Sequence, residues 1–186
     1  MYYQFEDAKY VYFIIDYCPY GDLYSIMRAQ TKKSEEQRMS MTEKYAIWTQ
    51  IAFGIVGLHS KGLIYRDIKP ENILIDEQER VRICDFGFTC KIDPEERMHG
   101  LCGSYEYLAP EILRKESYNK SLDIYCLGLL LYELLVGNNP FEGITPKNMH
   151  EMKNKPINFE KKQIRNTVKD LLKKMLKDKP EERIGY

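Results

Sequence analysis

The sequence holds little that would tie it to a membrane, a nucleic acid or a disulfide framework. Its 186 residues carry 28 basic and 28 acidic side chains, so the formal charge is zero. That leaves no broad basic field for nucleic acid or anionic lipid, and nucleic acid is not expected as a partner. No apolar run reaches the roughly 20 residues of a membrane span. The longest, Leu122 to Val136, covers 15 positions and contains Asp123 and Glu133, which reads as a buried core helix. The opening MYYQFEDAKY has no basic stretch followed by an apolar one, so it is not a signal peptide. Five cysteines (Cys18, Cys84, Cys90, Cys102 and Cys126) are odd in number, scattered and without a C-x-x-C pair. This excludes a disulfide framework or zinc site and points to reduced thiols in an intracellular, cytoplasmic setting.

What is present suits one soluble globular domain. Hydrophobic residues make up 44% and charged residues 30% of the chain, which argues against disorder. Residues 9–17 (KYVYFIIDY) are β-branched and aromatic, a strand by composition. Cys18-Pro19-Tyr20-Gly21 breaks it, and Asp22 caps a short helix to about Ala29. Ser40 and Glu43 have capping-box spacing ahead of a long helix to about His59, with Gly62 just past its end. Residues 73–76 and 81–84 read as two short strands joined by a polar turn. The stretch 86–110 has no clean periodicity, and loops of that length are uncommon unless functional. Ser121 is expected to cap the apolar helix 122–136, and helices near 145–153 and 163–177 follow. A mostly helical body with little sheet results, and the N-terminal strand needs a partner.

Chemistry-bearing residues concentrate in three places. Tyr65-Arg66-Asp67-Ile68-Lys69-Pro70-Glu71-Asn72 offers a carboxylate, an ammonium and an amide within one loop. Asp85-Phe86-Gly87 follows the second hairpin strand, and Ala109-Pro110-Glu111 comes later. Each short string is weak alone; order, spacing and element placement together are specific. With KPENILID, DFGF and LCGSYEYLAPEIL, nearly the whole chain resembles a eukaryotic Ser/Thr protein kinase of the AGC group, most of all the cyclic-AMP-dependent kinases.

The resemblance implies an α+β, protein-kinase-like fold: a mostly helical C-terminal lobe with a short β-hairpin, and a small lobe largely missing. Residues 1–17 would be the last strands of the small lobe and the start of the hinge, and 18–186 the large lobe, truncated at its C-terminal end. It implies transfer of the ATP γ-phosphoryl group to Ser or Thr of protein substrates, with Mg²⁺. Asp67 would orient or accept the proton of the substrate hydroxyl, and Lys69 would neutralise charge on the moving phosphoryl. Asn72 and Asp85 would supply hard oxygen ligands to the metal. Gly87 would let the chain turn after Asp85, with Phe86 packed under that turn. The backbones of Asp16 and Cys18 would face the adenine, Ile15 would be the gatekeeper, Leu74 the apolar floor, and Asp22 would reach the ribose or a basic substrate residue. Glu71 and Glu133 would favour basic residues upstream of the phosphosite, and Leu101 and Leu108 would line an apolar pocket after it. Phe88 goes with serine over threonine. Arg66, Asp123, Glu111 and Arg183 would be structural, the last two as a buried ion pair. Asp123 reads equally well as an ordinary acid at a helix N-terminus.

Three features depart from the pattern. No G-x-G-x-x-G occurs in the 186 residues. Lys9, on the strand before the hinge, cannot be the small-lobe lysine, and its glutamate partner is also absent. Gly100 stands where such kinases carry an activating threonine and Cys90 replaces a basic residue, which leaves Arg66 without an obvious phosphate partner unless Asp93, Glu95 or Glu96 substitutes. The isolated 186 residues are expected to bind nucleotide weakly. A binding module of pseudokinase type, or a catalytically incomplete piece of a kinase, is the alternative reading, and no regulatory partner is legible.

Overall fold

A computed structural model describes residues 2–30, 34, 37–93, 96–100, 102–161 and 163–185. The chain opens with an antiparallel hairpin, β1 (Tyr3–Glu6) and β2 (Val11–Ile14), in the register Tyr3↔Ile14 to Glu6↔Val11. The single strand expected over 9–17 is therefore the second half of a hairpin, and its partner lies just upstream. Lys9 is in the turn, where Asp7 Oδ1 accepts the main-chain N–H of Lys9 at 2.7 Å and of Tyr10 at 2.9 Å. That carboxylate anchors the reversal as an Asx turn does. All eight strand residues are exposed.

Helix α1 (Leu23–Gln30) starts at Asp22, whose carboxylate accepts from Ser25 N at 2.7 Å and Ser25 Oγ at 2.9 Å. Helix α2 (Met41–Ser60) begins with the expected capping box: Glu43 N donates to Ser40 Oγ, and Ser40 N donates to the Glu43 carboxylate. Strand β3 (Leu63–Ile64) follows. A single turn of 3₁₀ helix, Pro70–Asn72, then leads into the hairpin of β4 (Ile73–Ile75) and β5 (Val81–Ile83). The segment without periodicity contributes β6 (Cys90–Lys91), paired with β3, and an isolated bridge between Met98 and Tyr118. After it come a 3₁₀ turn at Tyr105–Tyr107 and helices α3 (Pro110–Leu113), α4 (Ser121–Val136), α5 (Met149–Lys153) and α6 (Asn166–Met175). A last 3₁₀ turn spans Pro180–Glu182.

Helix α4 is the centre of the core. Fourteen of its sixteen residues are buried, which is why its sequence is apolar all round. Helices α2 and α6 pack on it. Trp48 of α2 donates its indole N–H to Leu127 O at 3.0 Å, fixing the two helices in register. Gly128 is where α6's end comes closest: a Cβ there would lie 2.9 Å from Leu176 Cδ2. The cap of α4 differs from expectation. Ser121 is inside the helix, and Asn119 Oδ1 accepts its N–H at 2.9 Å. The Ser121 hydroxyl is instead buried, with no hydrogen-bond partner among the described residues. Among the described residues no helix is long and apolar enough to cross a membrane.

Candidate active site

The loop between β3 and β4 is held from below by α4. Asp123 is fully buried, and its two oxygens accept the main-chain N–H of Arg66 and of Tyr65, each at 2.9 Å. His59 Nε2 lies 2.7 Å from the same carboxylate. These bonds hold Arg66 at φ +71°, a left-handed conformation that a long side chain rarely adopts. The next residue, Asp67, is thereby turned inward and is only 3% exposed. Pro70 confines Lys69 to extended backbone (φ −161°, ψ 159°) and opens the 3₁₀ turn that delivers Asn72.

Three side chains meet at Asp67. Lys69 Nζ is 2.8 Å from its Oδ2, and Asn72 Nδ2 donates to the same oxygen at 2.8 Å and to Asp67 O at 3.0 Å. Ser104, on the far side of the irregular segment, accepts from Lys69 Nζ at 3.1 Å, and its hydroxyl makes a long 3.5 Å contact to Asp67 Oδ1. Gly103 (φ +89°) allows that approach, because a Cβ there would stand 2.9 Å from Arg66 O. The opposite edge is formed by β5: Cys84 N donates to Asn72 O at 3.0 Å, which brings Asp85 alongside Asn72. Asp85 is exposed, with φ +54°, and accepts from Gly87 N at 3.1 Å.

No donor among the described residues reaches Asn72 Oδ1, so that oxygen and the Asp85 carboxylate are available as hard ligands. Among the described residues no group of three His, Cys, Asp or Glu could hold a metal. Such hard oxygens are of the kind Mg²⁺ takes, with the rest of its shell usually completed by water and phosphate.

The remaining expected residues are distributed as follows. Leu74 pairs with Asp22 through an isolated bridge, and Ile75 N donates to Gly21 O, so the apolar floor and Asp22 are adjacent. The Asp22 carboxylate itself caps α1. Ile15 is 63% exposed, and the Asp16 carboxylate accepts from Tyr2 OH at 2.6 Å. Cys18 is half-buried. Phe86 does not lie under its turn; it is 51% exposed with its ring edge-on to Tyr65, centroids 5.6 Å apart. Leu108 is buried, and Leu101 and Glu95 lie outside the described residues.

An open groove of about 380 Å³ runs beside Ser104, lined in part by Glu71, Glu106, Glu133 and Glu142. Glu133 sits deepest, bonded to Tyr107 OH and, at 3.1 Å, to Asn139 Nδ2; burial pushes its carboxyl above the usual range. Glu142 pairs with Arg28 at 3.0 Å. Arg183 and Glu111 form a bidentate pair at 2.6 Å for both bonds, with neither side chain exposed. Ser104, His59 and Tyr107 were not anticipated. No local pattern marks them, since their partners lie 26 to 64 residues away.

The Protein kinase domain family matches residues 1–186, and the chain belongs to that family. It is 37% identical over 185 residues to the Drosophila melanogaster cGMP-dependent protein kinase, isozyme 2 forms cD5/T2, covering 98% of this chain and 19% of that protein. It is 35% identical over 188 residues to the human cGMP-dependent protein kinase 2, covering all of this chain and 24% of that protein. A cAMP-dependent protein kinase, catalytic subunit-like protein of Caenorhabditis elegans is 34% identical over 186 residues, covering 100% and 44%. The chain thus spans less than half the length of these curated relatives.

Proposed function

We propose that this chain carries the phosphoryl-transfer site of a Ser/Thr protein kinase that uses Mg-ATP and modifies Ser hydroxyls next to basic residues in proteins. The observation that carries the reading is the cluster at Asp67: one buried carboxylate fixed by an ammonium, an amide and a hydroxyl, beside a second carboxylate at Asp85. Mg-ATP would supply the transferable phosphoryl group, held by Asn72 Oδ1 and Asp85. The Asp67 carboxylate accepts or orients the proton of the incoming hydroxyl, and the bond from Asn72 Nδ2 fixes which oxygen is turned to it. Lys69, already placed by Asp67 and Ser104, keeps a positive charge at the locus where charge develops. Asp123, which grips the β3–β4 loop through the main chain of Tyr65 and Arg66, positions these groups and touches no substrate itself.

The basic preference rests on the four carboxylates of the groove beside Ser104. An arginine or lysine of a substrate would compete with Arg28 for Glu142 and meet Glu71 at the rim. Residues 1–17 and 18–186 are assigned to the end of a small lobe with its hinge and to the large lobe. Five free thiols suit an intracellular, cytoplasmic location. A second reading, a binding module without turnover, is favoured by the openness of the nucleotide face, where Ile15, Asp16 and Asp85 are all exposed.

The test is transfer of labelled phosphate from Mg-ATP to an arrayed Ser/Thr peptide library, using the protein at its full natural length. Labelling of peptides with upstream Arg or Lys, lost in Asp67→Asn, is expected. Absence of labelling with intact folding would favour the binding module, and labelling of acidic or proline-directed peptides would remove the basic preference.

A further inference from the structure

Tyr118 lies outside every motif, yet three parts of the site meet on it. Its side chain is 1% exposed. Its main chain makes both bonds of the bridge to Met98: Met98 N to Tyr118 O at 2.8 Å, and Tyr118 N to Met98 O at 2.9 Å. Its hydroxyl accepts from Arg66 Nη1 at 3.1 Å and lies 3.5 Å from Cys102 Sγ. Arg66 uses its Nε for Phe88 O at 2.6 Å, just after the Asp85 turn, and its main-chain N–H for Asp123. One guanidinium and one phenol thus join the loop carrying Asp67, the turn carrying Asp85, and Cys102 of the segment leading to Ser104, while the Tyr118 main chain holds Met98 of the same segment.

The charge balance of this junction is unusual. Among the described residues no carboxylate pairs with Arg66, and Gly100, near Met98, has no hydroxyl that could be modified. A guanidinium held beside a buried cluster is normally matched by an anion. Here its side-chain partners among the described residues are a carbonyl and a phenol. Burial holds that phenol up at about 12, so it meets Arg66 as a neutral group.

We infer that Tyr118 is a positioning residue for phosphoryl transfer: its hydroxyl, acting through Arg66, holds the Asp67 loop and the Asp85 turn in working register without any added charge on the segment 86–104. The inference rests on the kinase reading for its catalytic consequence, while the bracing itself is a property of the fold.

The experiment compares Tyr118→Phe with the wild type at full natural length, each verified as folded by melting followed at Trp48. Removal of one oxygen is expected to lower kcat about tenfold while leaving peptide and nucleotide KM within about twofold, because the loop is misplaced and not the binding surface. Arg66→Lys is expected to lose kcat too, and the double variant to lose no more than Arg66→Lys alone, as for groups acting through one another. Phosphatase treatment of the wild type is expected to leave kcat unchanged. Hydrogen exchange separates this idea from the kinase reading. Even if the wild type transfers no phosphate, Tyr118→Phe is expected to speed exchange of peptides covering residues 64–69 and 86–90. Unchanged kcat with unchanged exchange, additive losses in the double variant, or loss of wild-type activity to phosphatase would each overturn it.

Discussion

Replacing Arg183 by alanine offers the sharpest test of how the lower half of the fold is held. Its guanidinium makes five hydrogen bonds: two to Glu111 at 2.6 Å, and one each to Lys177 O at 2.9 Å, Ser121 O at 3.1 Å and Asp178 O at 3.2 Å. It also lies over the Tyr125 ring, 4.9 Å from the centroid. The substitution strands the Glu111 carboxylate in a site with no solvent access, and removing one member of such a pair costs about 3–5 kcal/mol. Against a total stability of about 5–15 kcal/mol this is a large fraction. At about 2–4 °C per kcal/mol for a chain of this size, the melting temperature is expected to fall by about 6–20 °C. Circular dichroism at neutral pH reads the shift, and Trp48 fluorescence checks that the transition remains cooperative. The double variant Glu111→Leu/Arg183→Met separates the pair from its packing, since an apolar replacement of both partners is often neutral or stabilising. It is expected to recover most of the loss. A single-variant melting temperature within about 2 °C of wild type would refute the argument that the stranded charge dominates.

Three further outcomes follow from the geometry. Asp67→Asn is expected to cut phosphoryl transfer by about 10²–10⁴-fold with melting little changed, measured by peptide phosphorylation. Gly103→Ala places a Cβ 2.9 Å from Arg66 O, which pushes Ser104 off the cluster; kcat is expected to fall by about 10²-fold, and wild-type turnover would show that the close approach is dispensable. Lys153 lies under the Tyr105–Tyr107 turn, donating to Glu106 O at 2.8 Å with its Nζ 3.8 Å from the Phe141 centroid, and burial pushes its ammonium down from 10.5 to about 7. Between those values the unfolded chain binds more proton than the folded one, so this group makes stability rise with pH across that window. Lys153→Met is expected to gain most stability below pH 7 and progressively less toward pH 10; urea midpoints at about pH 6 and about pH 9.5 that shift equally would contradict the assignment.

Legibility of the fold tracked the range of the forces involved. The Ser40–Glu43 box, the hairpin at 73–83 and the terminator at Gly62 are set by neighbours within a few residues, and all three were readable. The cap of α4 was misjudged because serine is a common N-cap, whereas Asn119 two residues earlier reaches Ser121 N first and the serine is drawn into the buried helix. The hairpin partner of Val11–Ile14 was missed because Tyr3–Glu6 carries two polar residues in four and looks like a terminus.

The strings at 65–72, 85–88 and 101–113, taken together, were enough to name the family, since the order of a few polar residues on a loop, a hairpin and a turn is a linear property. Which oxygens face one another was not. Ser104 reaches Asp67 across 37 residues, and Asp123 reaches Tyr65 across 58. Such pairs exist only once α4 is buried beneath the loop, for a hydrogen bond depends on direction and distance in space, and neither is encoded in the separation of two letters.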